Sequence, residues 1–289
     1  MNPTAVATPA MRRTQGPGVD ARGVDARAGA AAARMPLLGR DRPWGEVRRA
    51  LATAQKSNRN AQAYSRWVNR PLGRLIAATA YRWGLSPNMI SAISACLSFT
   101  GILLIATLTP SWTTGVVVGL LLVLGYATDS ADGQVARLQG GGSLAGEWLD
   151  HVIDAAKNTA FHLAVAIMWI RHLDGWSPLT TLIPLVFTVQ ASVWFFAVIV
   201  TDLLLRGAGV KKAAPPPADE KAPVLTSLLG IPVDYGVLCV VMVLLGAYPV
   251  WRIAYTALAV IGCALLVMQL IRWYLRMRAA DVAMRSSVT

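Results

Sequence analysis

Four aspartates stand in a fixed pattern in the stretch DSADGQVARLQGGGSLAGEWLDHVID: Asp129, Asp132, Asp150 and Asp154. The first two are three residues apart and the last two four apart, so on helices each pair shares a face. A carboxylate placed among apolar side chains costs about 2.5–3.5 kcal/mol on membrane-insertion scales. Four of them near one another would repel and partly protonate unless something neutralised them. One or two divalent cations remove the conflict. An all-oxygen ligand set selects a hard ion, magnesium or manganese, which leaves coordination positions open for water and phosphate.

The residues between the aspartates fit the same chemistry. Gly133 and Ala136 take side-chain bulk away from the ligand side of the first helix, and Gly146 does so one turn before Asp150. Arg137 sets a planar positive fork beside the carboxylates, suited to phosphate oxygens. Small residues also let membrane helices pack closely, and both roles can hold together.

Positioning four carboxylates in one place needs helices, and the composition indicates that these helices cross a membrane. The chain has 289 residues, of which 55% are hydrophobic and 15% charged, against about 25% charged in soluble domains. Several apolar runs reach the length of a spanning helix. The net charge of +12 falls at span ends and in the N-terminal region. It reads as topology and attraction to anionic lipid headgroups, and no recognition motif points to nucleic acid. Cys96, Cys239 and Cys263 all lie in apolar runs and read as buried small hydrophobes.

Residues 1–43, rich in Gly, Ala, Pro and Arg, are expected to be disordered and not a cleaved secretory signal. Residues 44–86 are expected to form juxtamembrane helices. In the clearer of these, Tyr64 to Trp83, arginines mix with Trp67, Leu72 and Leu75, as suits an amphipathic helix lying in the headgroup plane. The predicted fold class is all-α integral membrane, with six transmembrane helices in a catalytic domain over 87–278. The spans are about 87–108, 112–137, 143–170, 178–205, 232–248 and 250–275, with tight turns at Pro110 and Pro249. A cytoplasmic tail, 279–289, follows.

With the N-terminus inside, the inner side receives Arg66, Arg70, Arg74, Arg82, Arg137, Arg206, Lys211, Lys212, Lys221, Arg272, Arg276 and Arg278. The outer side receives only Arg171 and Arg252. This asymmetry predicts a multi-pass protein of the cell membrane with both termini cytoplasmic. The Gly140-Gly141-Gly142 turn makes spans two and three antiparallel neighbours, so all four aspartates meet just inside the cytoplasmic face.

The pattern Asp-x2-Asp-Gly-x2-Ala-Arg-x8-Gly-x3-Asp-x3-Asp resembles the signature of the CDP-alcohol phosphotransferase family, at all eight fixed positions and with the right gaps. The resemblance covers about residues 60–278. It implies an enzyme that cleaves the diphosphate of a CDP-linked alcohol, releases CMP and attaches the phosphoalcohol group to an acceptor hydroxyl. It implies that Asp129, Asp132, Asp150 and Asp154 bind two metal ions, magnesium or manganese, and that Gly133, Ala136, Arg137 and Gly146 line the CDP site. Asp154 is also the implied general base, and a homodimer is common in the family. CDP-diacylglycerol is the expected donor, with phospholipid the product. The alternative is a water-soluble CDP-alcohol given to a lipid acceptor, since Gly146-Glu147-x-x-Asp150-His151 is similar to the choline/ethanolamine phosphotransferase branch.

Other residues are open to two readings. Lys157 is three residues past Asp154, on the same face, and either pairs with that carboxylate or binds acceptor phosphate. Asp202 and Arg206 are spaced for a local ion pair; alternatively Arg206, Lys211 and Lys212 hold an anionic acceptor group. His151 reads as interfacial packing, with contact to the acceptor or headgroup the alternative, and His162 and His172 as structural. Asp234 suits a helix N-terminus. Two other classes stay in view. An aspartate-rich prenyltransferase would separate its two motifs widely, and a magnesium transporter would spread polar groups through the membrane depth.

Overall fold

Two short helices precede the long ones in the computed structural model, which describes residues 43–53, 62–173, 175–210 and 224–286. These all belong to one compact unit, Leu37–Thr289. The expectation of disorder over 1–43 falls, apart from Pro43, outside the described residues, as do Lys211 and Lys212. α1 (Trp44–Thr53) buries Val47 and Leu51 in a cluster with Ala77, Ala78 and Tyr81 of α2 (Arg70–Arg82). A π-helical turn, Ser65–Asn69, leads into α2.

Each of the next three helices opens on a serine. Ser86 accepts from the Met89 N–H and starts α3 (Pro87–Thr107), with Pro87 where its missing N–H costs nothing. Ser111 caps α4 (Trp112–Leu138), and Ser143 caps α5 (Leu144–Arg171). A 3-10 turn, Pro178–Thr181, enters α6 (Leu182–Gly207). Then come α7 (Val224–Leu229), α8 (Tyr235–Val241) with its 3-10 extension Met242–Ala247, and α9 (Tyr248–Ser286). No strand occurs among the described residues.

Four helical stretches are long and apolar enough to cross a membrane: Pro87–Thr107, Trp112–Leu138, Pro178–Gly207 and Tyr235–Ser286. They expose Leu103, Leu120, Phe196, Val260 and Val267, a pattern that suits hydrocarbon and not water. The chain is a membrane protein. α5 has the length of a span, 28 residues, but Glu147, Asp150, Asp154 and Lys157 make its first half polar.

The last stretch holds 52 residues, about 78 Å if straight at 1.5 Å per residue and far more than a bilayer core of about 30 Å. It reverses instead. Tyr235 lies beside Tyr126 and Gly246 beside Trp112, so residues 235–247 run antiparallel to α4. Arg252 meets Thr180, Gly262 meets Gln190 and Trp273 meets Trp194, so α9 runs parallel to α6. The tight turn expected around Pro249 is thus a change of direction within continuous helical backbone, led in by the 3-10 segment. Helix also continues through the start of the expected tail, as far as Ser286.

Arg252, counted in the sequence as an outer topological charge, is buried. Its guanidinium lies 4.1 Å from the Trp169 ring centre and 4.3 Å from that of Trp176, and it donates to Thr180 Oγ1.

Asp234 joins segments far apart in the chain. It caps α8 by accepting from the Gly236 N–H at 3.1 Å, and it accepts from the N–H groups of Tyr64 and Ser65 at 2.9 and 3.2 Å. Burial pushes its carboxyl above the ordinary range, while these backbone donors pull the other way. Gly236 lets the Tyr64 ring lie against the backbone, where a methyl group would overlap the ring. Asp234→Ala is expected to cost roughly 2–4 kcal/mol, from a lost cap and buried donors left without an acceptor. A thermal melt in detergent micelles checks it, and Asp234→Asn should retain part of the loss.

Candidate active site

α3 forms the back wall of the site. Ser91 donates to Asp132 Oδ2 at 2.5 Å, and Ser94 donates to Asp129 Oδ1 at 3.2 Å and to the Gly125 carbonyl at 2.9 Å. Both aspartates project from the C-terminal half of α4, and Asp150 and Asp154 from the N-terminal half of α5. Gly140 and Gly141, at φ of 96° and 123°, make the reversal between the two helices. α4 and α5 are antiparallel, as expected, but they are not packed neighbours. Each packs on α3 and they barely approach one another.

The gap is a cleft of about 600 Å³, within the range of small-ligand sites. Its walls include Asp132, Gly133, Ala136 and Arg137 from α4, and Gly146 and Asp150 from α5. Six of the eight motif residues therefore face one space. A side chain at Gly133 would meet only the Arg137 guanidinium, at 3.3 Å. That glycine keeps the cleft open and is not needed for helix packing. Asp129 and Asp154 lie one turn further along their helices.

The carboxylate oxygens of Asp129, Asp132 and Asp150 come within 4.8 Å of one another. Three convergent oxygen donors, two of them held by serine hydroxyls, fit a hard divalent cation. Asp154 stands outside this trio. Its Oδ1 is 2.7 Å from Lys157 Nζ, which is also 2.5 Å from Asp129 Oδ1. Of the two readings of Lys157, the structure displays the carboxylate pair.

Arg206 is likewise paired, with Glu147 Oε1 at 3.0 Å and with Asp202, so it ties α6 to α5 at the cleft rim. A neighbouring pocket of about 370 Å³ shares Glu147, His151 and Arg206 with the cleft and adds Thr201, Asp202 and Arg276. His151 thus lines both spaces. His162 is buried with Nδ1 2.7 Å from the Tyr255 hydroxyl, a structural role. His172 lies at the far end of α5, against Tyr248.

The serines of α3 and Asn88 on the cleft wall were not among the candidates read from the sequence. Their signal was present: Ser91, Ser94 and Ser98 recur at helical spacing in an otherwise apolar run, marking a polar stripe that must face something. Ser91→Ala is expected to weaken divalent-ion binding about 10–100-fold, as loss of a ligand-orienting hydrogen bond does elsewhere. A manganese titration measures it.

The sequence profile of CDP-alcohol phosphatidyltransferases matches residues 84–271, from just before α3 to well into α9. The chain belongs to this family. As a CDP-alcohol phosphatidyltransferase it is an enzyme of phospholipid biosynthesis, which sets aside the prenyltransferase and transporter alternatives. Among solved structures it is similar to Mycobacterium tuberculosis phosphatidylinositol phosphate synthase (PgsA1), solved with CDP-DAG bound. Identity is 18% and the TM-score 0.50, over 72% of this chain and 94% of that one. At this identity the likeness establishes a shared fold for the phosphatidyltransferase. No curated protein matches the chain.

Proposed function

We propose that the enzyme transfers the phosphatidyl group of CDP-diacylglycerol to an acceptor hydroxyl, with release of CMP, in a single metal-dependent step. The observation that carries this is the cleft, where Asp132, Asp150, Arg137, Gly133 and Gly146 face one space and the Asp129 carboxylate comes within 4.8 Å of the two aspartates. Gly133, Ala136 and Gly146 leave room for the cytidine diphosphate, and Arg137 binds its phosphate oxygens through paired N–H donors. Asp129, Asp132 and Asp150 hold magnesium or manganese, which when bound neutralises charge on the diphosphate and on the departing CMP.

Asp154 accepts the proton of the acceptor hydroxyl as its oxygen attacks the phosphorus that carries diacylglycerol. The new P–O bond forms as the bond from that phosphorus to the bridging oxygen breaks, and the bonding pair leaves with CMP. Asp129 and Asp154 are positioned for these tasks by Lys157. The acceptor enters from the neighbouring pocket, with Arg206 on its lining as a basic contact. A lipid donor is favoured by the CDP-DAG bound to the fold relative.

We read the chain as crossing the membrane six times, with α5 added to the four apolar stretches and the last of these counted as two crossings, 235–247 and α9. The burial of Arg252 leaves Arg171 as the sole outer basic residue of the two counted, which supports cytoplasmic termini and a cytoplasmic site. α2 and the turn before it expose Trp67, Leu75 and Trp83 beside arginines, consistent with a place in the interface.

The test is CMP release by purified enzyme in mixed micelles with magnesium, a panel of CDP-alcohols, and acceptors such as glycerol phosphate, inositol phosphate and serine. Release with CDP-diacylglycerol is expected. Release only with water-soluble CDP-alcohols would reverse the donor assignment.

A further inference from the structure

The four carboxylates of the motif are not equivalent in this chain. Asp129, Asp132 and Asp150 converge within 4.8 Å, and Asp154 is not among them. What connects Asp154 to the others is an ammonium group. Lys157 Nζ lies 2.7 Å from Asp154 Oδ1 and 2.5 Å from Asp129 Oδ1, and the lysine is 6% exposed. An ammonium has three donors and no acceptor, so it can satisfy two carboxylates at once from a fixed point. It stands between one carboxylate of each helix, the place a bridging cation would take.

We propose that the Lys157 ammonium replaces a second cation, so that this enzyme works with one divalent ion, held by Asp129, Asp132 and Asp150. The inference rests on the metal-dependent reading above and sharpens it. With Lys157 in place, one dication leaves the four carboxylates with one uncompensated negative charge, and a second would carry the cluster to net positive. A second dication bridging Asp129 and Asp154 would compete for the oxygens that Lys157 already holds, and would repel it at close range. Displacing the lysine is no simple escape, because its side chain is enclosed and starts on the same turn of α5 as Asp154. Lys157 is then a positioning residue. It orients Asp154 toward the acceptor without touching substrate.

The experiment counts manganese ions per chain on the purified full-length protein, by titration calorimetry and by electron paramagnetic resonance. Wild type is expected to bind one ion, with the six-line spectrum of an isolated centre. Lys157→Ala is expected to bind two, with the broadened spectrum of an exchange-coupled pair. Its melting temperature should also fall in EDTA and recover with manganese, whereas that of wild type should shift less. Lys157→Met, close in volume and uncharged, serves the same purpose if the alanine variant does not fold.

Two coupled ions in wild type, or one ion in both wild type and variants, overturns the proposal. If wild type binds two ions and still releases CMP, the transferase reading stands and only the lysine substitution falls. If wild type binds no manganese, both the proposal and the metal-dependent reading fall.

Discussion

Asp154→Asn is expected to lower the rate of CMP release at saturating substrates by about 10²–10⁴-fold, the usual contribution of a positioned general base. The amide keeps the shape of the carboxylate but cannot take a proton from the attacking hydroxyl. Asp154 lies outside the trio of converging carboxylates, so manganese binding and the KM for the CDP-alcohol should change little. The substitution also removes one of the two carboxylates that hold Lys157, so some loss of thermal stability is expected alongside. A variant that loses activity only in proportion to its folded fraction would remove Asp154 from the chemistry. A fall in kcat with intact donor binding and an intact fold would place it there.

Removing the divalent ion should have an effect of the same order. Electrostatic stabilisation by a bound cation contributes several kcal/mol to a transition state, so chelation with EDTA is expected to reduce CMP release by at least about 10³-fold. Magnesium or manganese should restore wild type. Neither should restore Asp132→Asn, which loses one of the three converging oxygen ligands and the hydrogen bond from Ser91. Activity that survives exhaustive chelation would rule out the metal-dependent mechanism, whatever the ion count.

Much of the cleft was legible in the sequence because its lining residues lie close together in the chain. Six of the eight motif residues line one cleft, and their spacing on two helices suffices to predict it. Span starts at 87, 112 and 143 coincide with serine-capped helices, because a cap is written in two or three adjacent residues. The misreadings concern relations between distant residues. The Gly140–Gly142 turn implied that α4 and α5 would pack together, but it could not say that α3 would stand behind both and leave a gap between them. Arg252 could be counted toward a side of the membrane, but nothing near it in sequence announces Trp169 and Trp176 as its partners. The Lys157 pair with Asp154 was readable from helical spacing; its bond to Asp129, on another helix, was not. Asp234 was recognisable as a helix start, yet its hold on Tyr64 and Ser65 spans most of the chain.

That last contact has a consequence for how the protein comes into being. The Tyr64 N–H finds its acceptor 170 residues later. A ribosome adding about 5–20 residues per second needs roughly ten to thirty seconds to cover that distance. During that interval the Tyr64–Ser65 turn lacks its Asp234 acceptor, while both aspartate helices have already been made. A turn made early in synthesis is therefore locked only after most of the chain has followed it. Nascent chains halted before residue 234 should carry that segment in a protease-sensitive form, and chains halted well past 236 should protect it.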